Sequence, residues 1–407
     1  LDKTLAILGG DILLEGATLK AAGGRIELAS VKEGLVRILP VEKGFNFDFD
    51  KLDNFGEVKL SQNTAVDASG NSAGNIRVTG KNIYVTDSSA ISSTQLGIAK
   101  SADIIINATE EVDINGINDT FISSGLYANN ISGNLIEEIS NIAVDAQQLK
   151  VRNGATIYTN ANEANGGNIN INSSNFNVEN GGLVSAIVSS SGNGGNIDID
   201  SAEVKVIGVG SNNNFSELSV SAKENSTGNT GNLNINTNNL LVEDGGLINA
   251  GTSGQGNGGY LTIKATYKIK VAGRGGVDNQ FSSGLFVVAE DNSSGNSGSL
   301  IINTEQMLVQ SGAFVSATNN GSGSAGDLQI TSDDLLVQDN ARFFAGSISE
   351  GKRVRDLSIK TSNLLISGGS EVNAGISNLD GNLDIDADDI QVIGTGNNGN
   401  TPTSLTV

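Results

Sequence analysis

Asn168-Ile169-Asn170-Ile171 is followed 28 residues later by Asn196-Ile197-Asp198-Ile199, and this recurrence decides the fold. Each unit is one polar residue, then aliphatic, any, aliphatic. Working outward, the same unit stands at Asn75-Ile76-Arg77-Val78, Asp103-Ile104-Ile105-Ile106 and Asn141-Ile142-Ala143-Val144 on one side. On the other it stands at Asn232-Leu233-Asn234-Ile235, Tyr260-Leu261-Thr262-Ile263, Ser299-Leu300-Ile301-Ile302, Asp327-Leu328-Gln329-Ile330, Asp356-Leu357-Ser358-Ile359 and Asn382-Leu383-Asp384-Ile385. The eleven copies lie 28, 38, 27, 28, 36, 28, 39, 28, 29 and 26 residues apart. A second aliphatic pair begins eight or nine residues after the first residue of each copy, as in Phe176/Val178, Val204/Val206 and Leu240/Val242. A looser third signature follows in many copies: Ala155/Ile157, Leu183, Leu247, Ala313/Val315, Ala341/Phe343 and Val372/Ala374.

Period 2 marks a strand with one buried face. Three short strands per unit of about 28 residues, separated by Gly, Asn and Ser, make one coil of a β-solenoid. Stacked coils align equivalent residues, so the aliphatic positions become inner columns. The residues between them form an outer ladder: Asn170, Asp198, Asn234, Thr262, Gln329, Ser358 and Asp384. A β-propeller needs four antiparallel strands per unit, and this repeat supplies three. The expected architecture is all-β, a parallel β-helix of about 14 coils with three short strands each, roughly 65–70 Å long. The organisation expected is residues 1–56, with tighter coils and a Phe/Asp excursion at Phe45-Asn46-Phe47-Asp48-Phe49-Asp50, then a repeat array over 57–407.

Composition narrows the function. With 24 Lys and Arg against 45 Asp and Glu, the formal charge is −21, which disfavours nucleic acid and anionic membrane as partners. No His and no Cys excludes Ser-His-Asp and Cys-His catalysis, the usual zinc sites and disulfides. The 53 Gly and 51 Asn disfavour helix. No stretch approaches the roughly 20 apolar residues of a bilayer span, so no membrane insertion is expected. The sequence starts at Leu1 with no basic n-region before an apolar run, so no signal peptide is read in it, and both ends read as cut from a larger protein.

Four coils carry extra residues after the second strand, following Gly116, Gly208, Gly273 and Gly394. Insertions at one corner of a solenoid project on one face, often the binding face. Candidate binding residues there are Phe121, Ser123, Leu126, Phe215, Phe281, Ser283 and Leu285; the plainer reading is that Phe and Leu anchor tolerated loops on the core. Carboxylates at Asp198/Asp200, Asp333/Asp334 and Asp384/Asp386 could cleave a glycosidic bond in principle. Asp198/Asp200 and Asp384/Asp386 alternate within the outer ladder, where other coils carry Asn, Ser or Thr, so no enzyme and no catalytic residue is expected. No cofactor is expected. Calcium is the one ion considered, at Asp384, Asp386, Asp388 and Asp389, since it takes carboxylate oxygens. Two basic spots interrupt the acidic chain, Lys264/Lys268/Lys270/Arg274 and Lys352/Arg353/Arg355, and read as solvated turns or faces.

The opening segment Lys3-Thr4-Leu5-Ala6-Ile7-Leu8-Gly9-Gly10-Asp11, with Leu14-Glu15-Gly16 and Ala22-Gly23-Gly24-Arg25-Ile26-Glu27-Leu28, resembles the end of the secretion domain in filamentous-haemagglutinin-like exoproteins of two-partner secretion, the cyanobacterial ones above all. The resemblance implies a right-handed parallel β-helix, secreted to the outer surface of a Gram-negative cell through an outer-membrane barrel transporter. It implies a structural rod or fibre segment that associates with cell surfaces or with itself, or else an adhesin for an extracellular glycan. The family's Asn-Pro motifs would lie upstream of Leu1.

Overall fold

The computed structural model describes residues 3–41, 44–49, 52–97, 102–118, 122–131, 140–211, 213–347, 356–375, 382–396 and 401–407. Among these, thirteen coils stack as a parallel β-solenoid, against about fourteen expected. The difference lies at the start, where Thr4–Gly9, Ile12–Glu15 and Thr18–Lys20 share coil 1, and Arg25–Ser30, Glu57–Ser61 and Ala65–Asp67 share coil 2. From coil 3 (Ile76–Gln95) onward, one coil follows each copy of the repeat. Every neighbouring pair of coils is parallel, within a sheet of 16 strands and a second sheet of 13.

The inner columns run unbroken. Ile142, Ile169, Ile197, Leu233 and Leu261 stack in one register, and so do Leu149, Phe176, Val204, Leu240 and Ile269. One cluster of buried side chains extends from Ile12 to Ala374, without a break at residue 57. Burying such aliphatic side chains contributes about 1.5–3 kcal/mol each, and this drives the stacking.

The first two expected strands are one strand in most coils, such as Ile169–Glu179 and Ile197–Ile207. Inward positions are Ile197, Ile199 and Ser201, then Val204 and Val206. The step from 201 to 204 breaks period 2, so the strand turns a corner there while its hydrogen-bond ladder continues. A small side chain lines the corner. Ser201 Oγ donates to the Glu203 carbonyl at 3.0 Å, and Thr237 Oγ1 donates to the Asn239 carbonyl at 3.0 Å. Coils 4 and 9 carry the nine-residue spacing, and there the register shifts at the corner, between Asn107 and Glu111 and between Thr237 and Asn239. The extra residue is a bulge.

The second corner, before the short strand, has two forms. Short coils use two consecutive left-handed residues, Asn180 (φ 51°) with Gly181 (φ 82°) and Asp244 (φ 53°) with Gly245 (φ 89°). Asn, Asp and Gly tolerate that region best. The third corner carries two ladders of asparagine. The Asn232 N–H donates to Asn196 Oδ1 at 2.8 Å and the Asn196 N–H to Asn168 Oδ1 at 2.8 Å. Three residues earlier, the Asn229 N–H donates to Asn193 Oδ1 at 3.0 Å and the Asn257 N–H to Asn229 Oδ1 at 2.8 Å. Each side chain satisfies a main-chain donor that the bend leaves without a carbonyl.

The Phe/Asp excursion is a hairpin. Arg37–Val41 pairs antiparallel with Gly44–Asp48 inside coil 2. Arg77 fastens it to the solenoid: its Nη2 donates to the Phe47 carbonyl at 2.6 Å, its guanidinium lies 4.9 Å from the Phe49 ring centroid, and its Nε donates to the fully buried Glu27.

Candidate binding face

The four insertions leave the solenoid at the same corner, where short coils have their left-handed turn. Each starts on a left-handed glycine: Gly116 (φ 98°), Gly208 (φ 86°), Gly273 (φ 79°) and Gly394 (φ 82°). Each is closed by antiparallel pairing: Ile117 with Ser123, Val209 with Phe215, Arg274 with Ser282 and Thr395 with Pro402. A hydroxyl residue locks each neck. Ser283 Oγ donates to the Ala272 carbonyl at 2.8 Å and accepts from the Gly245 N–H of the coil before at 2.9 Å. Ser216 does the same with Ile207 and Gly181, and Thr403 with Ile393 and Gly369.

These contacts correct part of the candidate list. Ser283 is buried and structural, because its hydroxyl is consumed at the neck. Leu126 and Leu285 are buried in the core on the inner side of Gly125–Asn130 and Gly284–Ala289, so they anchor and do not bind. Ser123 stands half-buried in its bridge, and its carbonyl accepts from the Tyr127 hydroxyl at 3.0 Å. Phe121 lies outside the described residues, as do Lys352, Arg353 and Arg355.

Phe215 and Phe281 are brought together. They come from the loops of coils 7 and 9, and their rings meet edge to face at 4.8 Å between centroids, across coil 8, which has no loop. Arg274 holds the second loop in shape, donating from Nε to the Asn279 carbonyl at 2.7 Å, from Nη2 to the Gln280 carbonyl at 2.9 Å and from Nη1 to Ser282 Oγ at 2.7 Å. The two rings wall a cavity of about 400 Å³ whose floor includes Leu247, Asn249, Phe286 and Phe314.

Leu247 and Leu183 were expected to face inward. The structure places Val184 and Ile248 inward instead, stacked on Ile157, Leu218 and Leu285, and turns both leucines outward. The same turn precedes the short strand in coils 5, 6 and 8, so Gly182 and Gly246 stand at the inward position of Ala155 and the leucine after each is equivalent to the outward Thr156. A Cβ on Gly246 would come within 2.1 Å of the Val206 carbonyl oxygen.

The outer column of the short-strand sheet is where sequence reading gave no warning. It runs Tyr127, Tyr158, Ser185, Ser219, Asn249, Phe286, Ser316, Phe344. Phe286 lies across Gly284, where an added Cβ would come 2.3 Å from its ring, and Tyr127 covers Gly125 in the same way. The signal present in the sequence is the aromatic two residues after the glycine, in Ser-Ser-Gly-Leu-Tyr127 and Ser-Ser-Gly-Leu-Phe286. Burial pushes the Tyr127 phenol up to about 12. Glu217 stands between Leu183 and Leu247 on the neighbouring outer column, and burial pushes its carboxyl above the usual range against a hydrogen bond from Ser219. Glu290, at the exposed rim of the cavity, is also raised, by desolvation and by the neighbouring charge of Asp291.

The acidic candidates do not converge. Asp198 and Asp200 accept from the Asn234 and Asn236 amides at 2.8 and 2.9 Å, which is ladder work. Asp334 accepts from Asn363 at 2.8 Å. Asp384, Asp386, Asp388 and Asp389 are exposed along the single strand Leu383–Ile393; Asp386 faces Lys360 at 3.6 Å and Asp389 accepts from Gln391 at 2.9 Å. Among the described residues no group of three acidic side chains could hold a metal ion. Of the basic spots, Lys270 pairs with Glu243 at 2.5 Å. Comparison with known proteins gives no match to a family model, to a curated protein or to a solved structure.

Proposed function

We propose that this chain is a segment of a secreted cell-surface rod, a non-enzymatic scaffold that associates with surface material and with copies of itself. The observation that carries the reading is the single core running from coil 1 to coil 13, fastened by ladders on every face. Such a stack transmits length and stiffness and needs no cofactor. The resemblance of Lys3–Leu28 to the end of a two-partner secretion domain supports export by an outer-membrane barrel transporter of a Gram-negative cell. A chain without cysteine suits export unfolded, with coil-by-coil stacking outside.

A second reading, an adhesin for extracellular glycan, is favoured by one observation, the aromatic cavity between two projecting loops. Electron microscopy separates the two. Thirteen coils at roughly 4.8 Å give a rod of about 60 Å. Fibres with an axial repeat close to that length support self-association. Isolated rods without a repeat would overturn it and leave the adhesin.

A further inference from the structure

We propose that the groove floored by Phe286 and Phe314 and walled by Phe215 and Phe281 binds a neutral, extended oligosaccharide lying along the rod axis; this deepens the adhesin reading and rests on it.

Phe286 covers Gly284 and Phe314 lies under the Arg342 guanidinium, 5.6 Å from its ring centroid, but closing the core needs neither ring. The core of each coil is closed by the inward residues Ile248, Leu285 and Val315, all fully buried. At the outer position that Phe286 occupies, neighbouring coils carry Ser219, Asn249 and Ser316, which suffice there. Coil 9 instead places Phe286 there, and coil 10 places Phe314 on the neighbouring outer column; both rings are half-buried. An aromatic face beside amides is the arrangement that accepts a sugar ring, whose flat side is C–H and whose edge is hydroxyl. Asn249 and Gln280 supply the amides at the groove margin.

The direction follows from the stacking. Equivalent positions recur along the axis every roughly 4.8 Å, close to the advance of one pyranose unit in an extended chain. A polymer lying along the axis therefore meets successive coils in step, and one lying across it leaves the platform after a single ring. Phe344 stands two coils beyond Phe286 on the same outer column, with Ser316 between them, and lies 6.2 Å from Phe314 of the neighbouring column between centroids.

Charge selects the class. The chain carries a formal charge of −21 and the rim of this groove adds Glu290, while the nearby cations are engaged, Arg274 on the carbonyls of its own loop and Arg342 over the Phe314 ring. Approach of a polyanion is opposed at low ionic strength, whereas a neutral chain incurs no such penalty.

Titration calorimetry on the whole chain tests this, with cellohexaose, chitohexaose and mannohexaose as neutral probes and hexagalacturonate as the anionic one. A neutral hexasaccharide is expected to bind and the anionic one not. Phe281→Ala should weaken binding by about tenfold, the equivalent of one lost stacking contact. Phe281→Trp should retain it. Tyr267→Ala, on an exposed tyrosine of the long strand of coil 9, should leave it unchanged. The thermal melt of each variant is recorded beside its affinity, and the Trp variant decides the matter if Phe281→Ala unfolds. Binding that is indifferent to both Phe281 variants overturns the groove and leaves the adhesin. Preference for hexagalacturonate overturns the choice of a neutral ligand. No binding by any probe overturns groove and adhesin together.

Discussion

At the scale of single residues, most polar groups on this rod serve the coil next to them. Asn196, Asn229 and Asn232 answer main-chain donors one coil away, and Asn234 answers Asp198. Glu217 departs from this pattern. It sits between two outward leucines, and its carboxyl is raised because burial disfavours the charge. A carboxyl raised in the folded chain favours folding below its unfolded pKa, about 4.3, and that contribution is lost as pH rises through the raised folded value. Glu217→Gln should therefore raise the melting temperature by a few degrees at pH 7 and leave it unchanged at pH about 3.5, where both side chains are neutral. Parallel melts at the two pH values check this; an equal rise at both would mean that packing, and not ionisation, is responsible.

At the scale of the element, each corner of the coil has its own chemistry. Ser201 and Thr237 turn the long strand, Asn180-Gly181 and Asp244-Gly245 turn into the short strand, and stacked glycines precede the asparagine ladder. In that glycine stack the coils pass so closely that a Cβ on Gly231 would lie 2.0 Å from the Gly195 carbonyl oxygen. Main chain cannot yield as a side-chain tip can. Gly231→Ala should destabilise the rod by about 2–3 kcal/mol, as overpacking does in a close-packed interior. Gly10→Ala, where an added Cβ meets nothing within 4 Å, should be neutral. Denaturant titration of the two variants makes the comparison, and equal midpoints would refute the tight approach.

At the scale of the whole molecule, coils are interchangeable wherever their corners match. Gly167-Asn168 and Gly195-Asn196 occupy the same place in successive coils, with the Asn196 N–H on Asn168 Oδ1 at 2.8 Å. Removing residues 168–195 joins Gly167 to Asn196 and leaves Ile142 facing Ile197 with every column in phase. The shortened chain should fold and lose one rung, roughly 4.8 Å of length. Small-angle scattering reads that loss.

The repeat itself was legible because period 2 and a spacing near 28 residues leave few ways to bury the aliphatic positions. Ile76, Ile104, Ile142 and the copies after them stack in the expected order for that reason. The nine-residue spacing at Asp103 and Tyr260 even marked the two bulged coils. The neck hydroxyl was visible in the Ser-Ser-Gly of two loops, but its task was not, since one of its two partners, the Gly245 N–H for Ser283, belongs to the coil before. The facing of Leu183 and Leu247 escaped an aliphatic pattern because the inward position before each is a glycine, Gly182 and Gly246, where coil 5 has Ala155. The groove belongs wholly to the tertiary structure: Phe215 and Phe281 stand 66 positions apart in the chain and meet only because two loops flank a coil that lacks one. Periodicity is local and survives in sequence, whereas contacts between coils depend on how many residues each loop inserts before the chain returns.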